Sequence, residues 1–267
     1  IVGGKGRTAL KTPQEIAHYG DRYGIEADSL IRMSRLVAKV DSCALQDGYD
    51  LYHHTFFFTR EGSWCVIQQG MNPRNRYARR YHWLSEGLDD PCCEPHKAVC
   101  CDERREALNL VARESSGARR AIMELAHQDP EVVLREIRPA GNLSLPERHD
   151  LTPEDLAPER VRSILLKTYE RLPRDFQELL LIRGLGPRSL RALSLLAELL
   201  YGEPPSFKDP ARFSFAHGGK DGRPYPVDRE LYDRTIEVLK ECLWAARVGY
   251  TEKLRALRRL DSLYKRV

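Results

Sequence analysis

Leu181-Ile182-Arg183-Gly184-Leu185-Gly186-Pro187-Arg188-Ser189-Leu190-Arg191-Ala192-Leu193 is the stretch whose reading decides the fold. Two glycines flank one apolar residue, after an apolar helix end and before a second helix with small Ala192 on its inner face. Glycine tolerates positive φ and lets another group approach the backbone without a side chain in the way. Pro187 suits a first helical turn, where its missing N–H is no loss. The spacing predicts helices over 174–183 and 189–200 with a tight corner between them. The amides of Gly184, Gly186 and the next turn would point outward at the start of a helix, which favours an anion.

This stretch resembles the helix-hairpin-helix motif, a sequence-independent grip on a nucleic-acid backbone. A plain helix corner would also use a glycine. The second glycine, Pro187 and the nearby arginines favour the nucleic-acid alternative. The contacts expected from it are Gly184, Gly186, Arg183, Arg188, Ser189 and Arg191. DNA is the expected partner, with RNA as the other possibility.

Outward from the hairpin the period is mostly helical. Thr12-Pro13 opens one helix, and 28–40 places Leu30, Met33, Leu36, Val37 and Val40 on one face of another. The strong β signal lies in 50–59 and 63–69, rich in aromatic and β-branched residues and separated by Arg60-Glu61-Gly62, which reads as a hairpin. A polar, arginine-rich segment follows over 72–80. Helices are expected over 104–128, 131–137, 158–171, 228–248 and 251–265, with a linker at 141–152 and a long loop at 203–226. The expected fold is mainly α with a small antiparallel β element. It divides into an α+β part (1–101), a helical connector (102–150) and an all-helical helix-hairpin-helix domain (151–267).

Composition bounds the rest. The chain has 267 residues, 42% hydrophobic and 31% charged, enough to fold around one large core or two modest ones. It has no apolar run of the length a membrane span needs. The formal charge is only +4, so charge distribution matters more than the total. Seven cysteines, an odd number, argue against a secreted disulfide scaffold, and a cytoplasmic location is expected. Ile1 stands where a Met would, so further upstream sequence is expected. Ile1-Val2-Gly3-Gly4 resembles the mature start of trypsin-like proteases, but no Gly-Asp-Ser-Gly-Gly segment follows.

Four constellations are candidates for chemistry or binding. After the hairpin, Pro224-Tyr225-Pro226-Val227-Asp228-Arg229 resembles the helix-hairpin-helix base-excision DNA glycosylases, in which a Val-Asp pair opens a helix and the Asp is catalytic. That resemblance implies a catalytic role for Asp228, beside a loop carrying His217 and Lys220. Asp228 as a helix cap alone is the other reading. Bifunctional members carry a Schiff-base lysine where this chain has Arg188, so lyase chemistry is not expected there.

In the N-terminal part, Lys39, Asp41, Asp47, His53, His54, Gln68 and Gln69 cluster on or beside the expected hairpin. Asp41, Asp47 and His53 are weak candidates for a divalent metal such as Mg or Mn, which would serve a nuclease. Hydrogen-bonded structural residues are the alternative. Arg74, Arg76, Arg79 and Arg80, interleaved with Trp83 and tyrosines, suit a backbone groove with stacking platforms or a solvated loop. Cys92, Cys93, His96, Cys100 and Cys101 lack zinc-like ligand spacing, so plain thiols are expected there.

Long strings spread over the whole chain resemble one widespread, uncharacterised microbial family known by a domain-of-unknown-function label. They include Ala38-Lys39-Val40-Asp41, Ala44-Leu45-Gln46-Asp47-Gly48-Tyr49, Gln68-Gln69-Gly70-Met71-Asn72, Ala78-Arg79-Arg80-Tyr81-His82-Trp83 and Pro226-Val227-Asp228. Membership implies no reaction. The function expected from the residues is a DNA-processing hydrolase of the repair class, glycosylase-like through Asp228. The alternatives are a metal-dependent nuclease around Asp41, Asp47 and His53, or a non-catalytic nucleic-acid-binding module.

Overall fold

The structure, a computed structural model, describes residues 1–101, 103–137, 157–212, 229–246 and 248–264. The chain divides into two units, 1–214 and 215–267. It is mainly helical, about 53%, with a small antiparallel sheet. No helix among the described residues is long and apolar enough to cross a membrane.

The sheet of the first unit has five strands in the order β1-β3-β4-β5-β6. These are β1 (Val2–Lys5), β3 (Asp50–Phe58), β4 (Trp64–Met71), β5 (Ala78–Leu84) and β6 (Ala98–Cys100), each antiparallel to its neighbour. Strands alternate faces, and the register aligns His54 with Gln68, Gln68 with Tyr81, and Val66 with both Phe56 and Trp83. All six of these side chains are buried, so one sheet face is core throughout. Strand β1 lies close to β3 at Gly3: a Cβ there would come within 2.3 Å of the His54 carbonyl oxygen, and φ is +85°. Only glycine fits both conditions.

Helices cover that face. Helix α1 (Thr12–Tyr23) returns to the sheet, where Glu15 accepts the Gly3 amide at 2.7 Å. Helix α2 (Asp28–Lys39) packs on β4 and ends in one wide π-type turn, Val40–Ala44, which runs into short β2 (Leu45–Gln46). Such wide turns redirect side chains and recur at functional positions. Strand β7 (Leu108–Asn109) pairs with β2. Helices α3 (Ser116–His127), α4 (Pro130–Ile137), α5 (Pro158–Arg171), α6 (Phe176–Leu181) and α7 (Pro187–Tyr201) complete the unit, with α3 packed on α5, α6 and α7. One apolar cluster runs from the sheet into these helices, through residues such as Val37, Trp83, Leu125 and Leu193.

In the second unit, α8 (Arg229–Ala245) and α9 (Tyr250–Tyr264) pack together, and Lys253 donates to the Trp244 carbonyl at 2.6 Å.

Two expected elements are corrected. The segment 104–115 is not helix: Leu108 and Asn109, inside the fully buried run Ala107–Val111, pair with β2 as β7, and Arg113–Ser115 is a 3-10 turn. The arginine-rich segment does not end as a loop but enters β5, whose residues 79, 81 and 83 face the core. The expected linker at 141–152 lies outside the described residues.

Candidate functional site

The turn between α6 and α7 is built from local needs. Asp175 caps α6 by accepting the Glu178 amide at 2.8 Å, and Arg174 in turn holds the Glu178 carboxylate. Their contact pulls the Glu178 pKa down to about 2. The chain then turns through Gly184 at φ +87°, which favours glycine. Leu185 is buried and anchors the turn to the core. Gly186 is the cap residue of α7, at φ −112° and ψ −176°. That backbone suits any residue, and a Cβ added there would meet nothing within 4 Å. Neither the backbone nor the described neighbours require glycine at 186.

The start of α7 has no side-chain cap and no acidic residue in its first turn. Its carbonyls are tied from behind. Lys39 donates to the Leu185 carbonyl at 2.7 Å, and Gln46 to that of Pro187 at 2.8 Å. Arg191 in turn donates to Gln46 Oε1 at 2.8 Å. Lys39, a candidate catalytic residue in sequence, therefore positions the turn.

Beside this helix start lies an open groove of about 620 Å³. Arg74, Arg105, Arg188 and Arg191 line it, with Asp50 and Glu106 as opposing charges and Asp47 on its wall. Arg183 and Arg188 are exposed and Ser189 is half-buried at the same corner. Arg74 and Arg76 are exposed on the turn before β5, where Arg76 sits at φ +61°.

Arg79 and Trp83 are elsewhere. The period-2 pattern of β5 turns both into the core, at 0% and 1% exposure, while Arg80 faces the other way, half-buried. Arg79 bridges Asp47 at 2.9 Å and Asp209 at 2.8 Å, also donates to the Glu103 carbonyl, and lies over the Tyr49 ring. Burial disfavours its charge, but Asp47 and Asp209 more than offset this, raising its pKa above the ordinary value. Arg79 and Trp83 are thus a buried ion pair and a core ring rather than surface contacts for a nucleic acid.

The polar residues of the expected hairpin form a buried relay. Asp41, aimed inward by the π-type turn, is 1% exposed. Its carboxylate accepts from Gln68 Nε2 at 2.5 Å and Trp83 Nε1 at 2.9 Å, and meets His96 Nε2 at 2.5 Å. Gln68 Oε1 accepts from His54 Nδ1 at 2.8 Å, and His54 Nε2 meets Ser34 Oγ at 3.0 Å. Burial pushes the His54 pKa below its ordinary value. Asp47 accepts from Arg79 and from the Tyr81 hydroxyl at 2.7 Å.

His53, on the opposite side of β3 from His54, bonds Thr55 at 2.7 Å; Gln69 is its cross-strand neighbour. Asp41, Asp47 and His53 are thus engaged separately. Among the described residues no three His, Cys, Asp or Glu side chains are placed to hold one metal ion. Asp41, Asp47 and His53 do not form such a group.

Asp228, His217 and Lys220 lie outside the described residues. The cysteines are free thiols; burial pushes that of Cys92 up to about 12, which leaves it a poor nucleophile and ligand. Sequence reasoning missed two participants, the Asp41 partner His96 and the Arg79 partner Asp209. His96 stood among cysteines and drew a metal reading, while Asp209 had no local signal.

No curated protein and no solved structure matches the chain. A family model described as "Protein of unknown function (DUF763)" matches residues 1–227. The chain belongs to that family.

Proposed function

We propose that this protein binds nucleic acid by its phosphate backbone, at the start of α7 and along the adjoining arginine groove, and that it processes DNA hydrolytically. The observation that carries the proposal is Gly186. The fold does not need a glycine there, yet the position opens an uncapped helix start to close approach beside Arg74, Arg105, Arg188 and Arg191. A phosphate would meet outward amides, a favourable helix dipole and guanidinium forks. Such contacts position a duplex without reading its sequence.

Base excision is the reaction class we propose, with Asp228 as the carboxylate that stabilises an oxocarbenium-like sugar or activates water. Its support is the residue pattern around Asp228. Incubating the protein with labelled single-stranded, duplex and lesion-bearing DNA, with and without Mg²⁺ or Mn²⁺, tests this, with products resolved before and after alkali. Strand breaks that appear only after alkali, independent of metal, are expected. Asp228→Asn should retain DNA affinity and lose about two orders of magnitude of turnover, the scale of a lost acid–base group. Direct metal-dependent breaks, or normal turnover in Asp228→Asn, would overturn the assignment. Binding without turnover would reduce the protein to a binding module.

A further inference from the structure

The groove beside α7 is lined by rings as well as by arginines. We propose that it takes an unpaired stretch of DNA, with Phe207 as the ring on which a base stacks. The preferred substrate is then a duplex that opens into a single strand. The proposal rests on the groove being a nucleic-acid surface and says which form of DNA enters it.

A concavity of about 620 Å³ equals a cube about 8.5 Å on a side. The major groove of a duplex is by itself about 12 Å wide. A duplex is therefore confined to the mouth, against the start of α7, while an unpaired strand fits within.

Four arginines line the groove, but Asp47, Asp50 and Glu106 line it too, and Arg105 faces Glu103 at 2.7 Å in an exposed pair. The cationic surplus is small, so phosphate contacts alone give a modest grip. Proteins that hold single strands add to such a grip by stacking bases on aromatic side chains, which tolerates any sequence.

Two aromatic residues line the groove. Tyr49 is 5% exposed, lies against Arg79 and meets Cys101 through its hydroxyl, so it belongs to the wall. Phe207 is half-buried, packing against the apolar cluster while still lining the groove. The backbone around it is pinned at successive residues. The Ser206 carbonyl accepts the Asn109 amide at 2.8 Å, and the Phe207 carbonyl accepts the Ala107 amide at 3.0 Å. The Lys208 carbonyl accepts from Asn109 Nδ2 at 3.1 Å, and Asp209 meets Arg79 at 2.8 Å. None of these bonds uses the Phe207 ring. A platform fixed in this way loses little freedom when a base stacks on it.

Anisotropy titrations compare a blunt twenty-base-pair duplex with the same duplex carrying a ten-nucleotide overhang. The overhang duplex should bind at least about fivefold tighter, the lower end for one stacked base. Phe207→Leu keeps apolar bulk and removes the ring. It should bring the two duplexes within twofold of each other, at 50 and at 200 mM salt alike, because stacking releases no counterions. Affinity for the blunt duplex should be unchanged, and Phe207→Tyr should keep the preference. If Phe207→Leu does not fold, 5-iodouracil placed in the overhang and irradiated with wild-type protein decides, and a crosslink mapped to Phe207 is expected. Equal wild-type affinity for both duplexes, a preference that survives in folded Phe207→Leu, or no crosslink at Phe207 would each overturn the proposal and leave the groove as a backbone contact. Failure of either duplex to bind at all would overturn both.

Discussion

Removing arginines from the groove should change the salt dependence of DNA binding in a countable way. Each phosphate neutralised on a duplex contributes about −0.9 to the slope of log affinity against log salt. Arg74, Arg105, Arg188 and Arg191 line the groove; if each meets one phosphate, the slope is about −3.6. Between 50 and 200 mM salt that slope lowers affinity about 150-fold. Arg74 and Arg188 are both exposed, so replacing them by alanine leaves the core intact. The doubly substituted protein should show a slope of about −1.8 and lose only about 12-fold over the same range. Fluorescence anisotropy with a labelled duplex at four salt concentrations reads both slopes. A wild-type slope near zero, or one that the double substitution leaves unaltered, would refute the groove as the contact surface.

Other outcomes follow from the buried networks. Arg79→Met should leave Asp47 and Asp209 buried without their cation, at a cost of about 3–5 kcal/mol, and lower Tm by roughly 10 °C; a change under about 2 °C would show that the ion pair is not structural. Burial holds the His54 pKa, and those of His53 and His82, below the ordinary 6.5. The unfolded chain then binds more protons below about pH 6.5, so these groups' contribution is complete above that value and is lost as pH falls. Thermal melts from pH 8 to 5 should be flat above about pH 7 and decline below it, with a shallower decline in His54→Gln; rising stability toward pH 5 would contradict the assignment.

The hairpin β3–β4 was legible because Phe56, Val66 and their neighbours alternate with less buried residues around Arg60-Glu61-Gly62. Helices α2 and α5 were legible from apolar spacing, and the corner at Gly184 from its glycine. Elements set by distant partners were not. Leu108 and Asn109 are strand because β2, more than sixty residues earlier, offers them a ladder. Arg79 reads as a surface charge until Asp209, 130 residues away, is seen beside it. Its period-2 relation to Tyr81 and Trp83 was a signal that the arginine-rich composition masked. Asp41 and Asp47 stood out in the sequence as candidate catalytic or metal-binding carboxylates, but their partners Trp83, His96, Arg79 and Tyr81 come from across the fold. The carboxylates' roles are therefore tertiary facts.

The central claim rests on Gly186, where the fold leaves room for a side chain and a phosphate would not. The most direct measurement compares wild type with Gly186→Val, using anisotropy on three unrelated duplexes together with a thermal melt. An affinity loss of at least tenfold, the same on all three sequences and with little change in Tm, is the expected result. Unchanged affinity in a folded Gly186→Val would contradict the account and leave the turn as a plain helix corner.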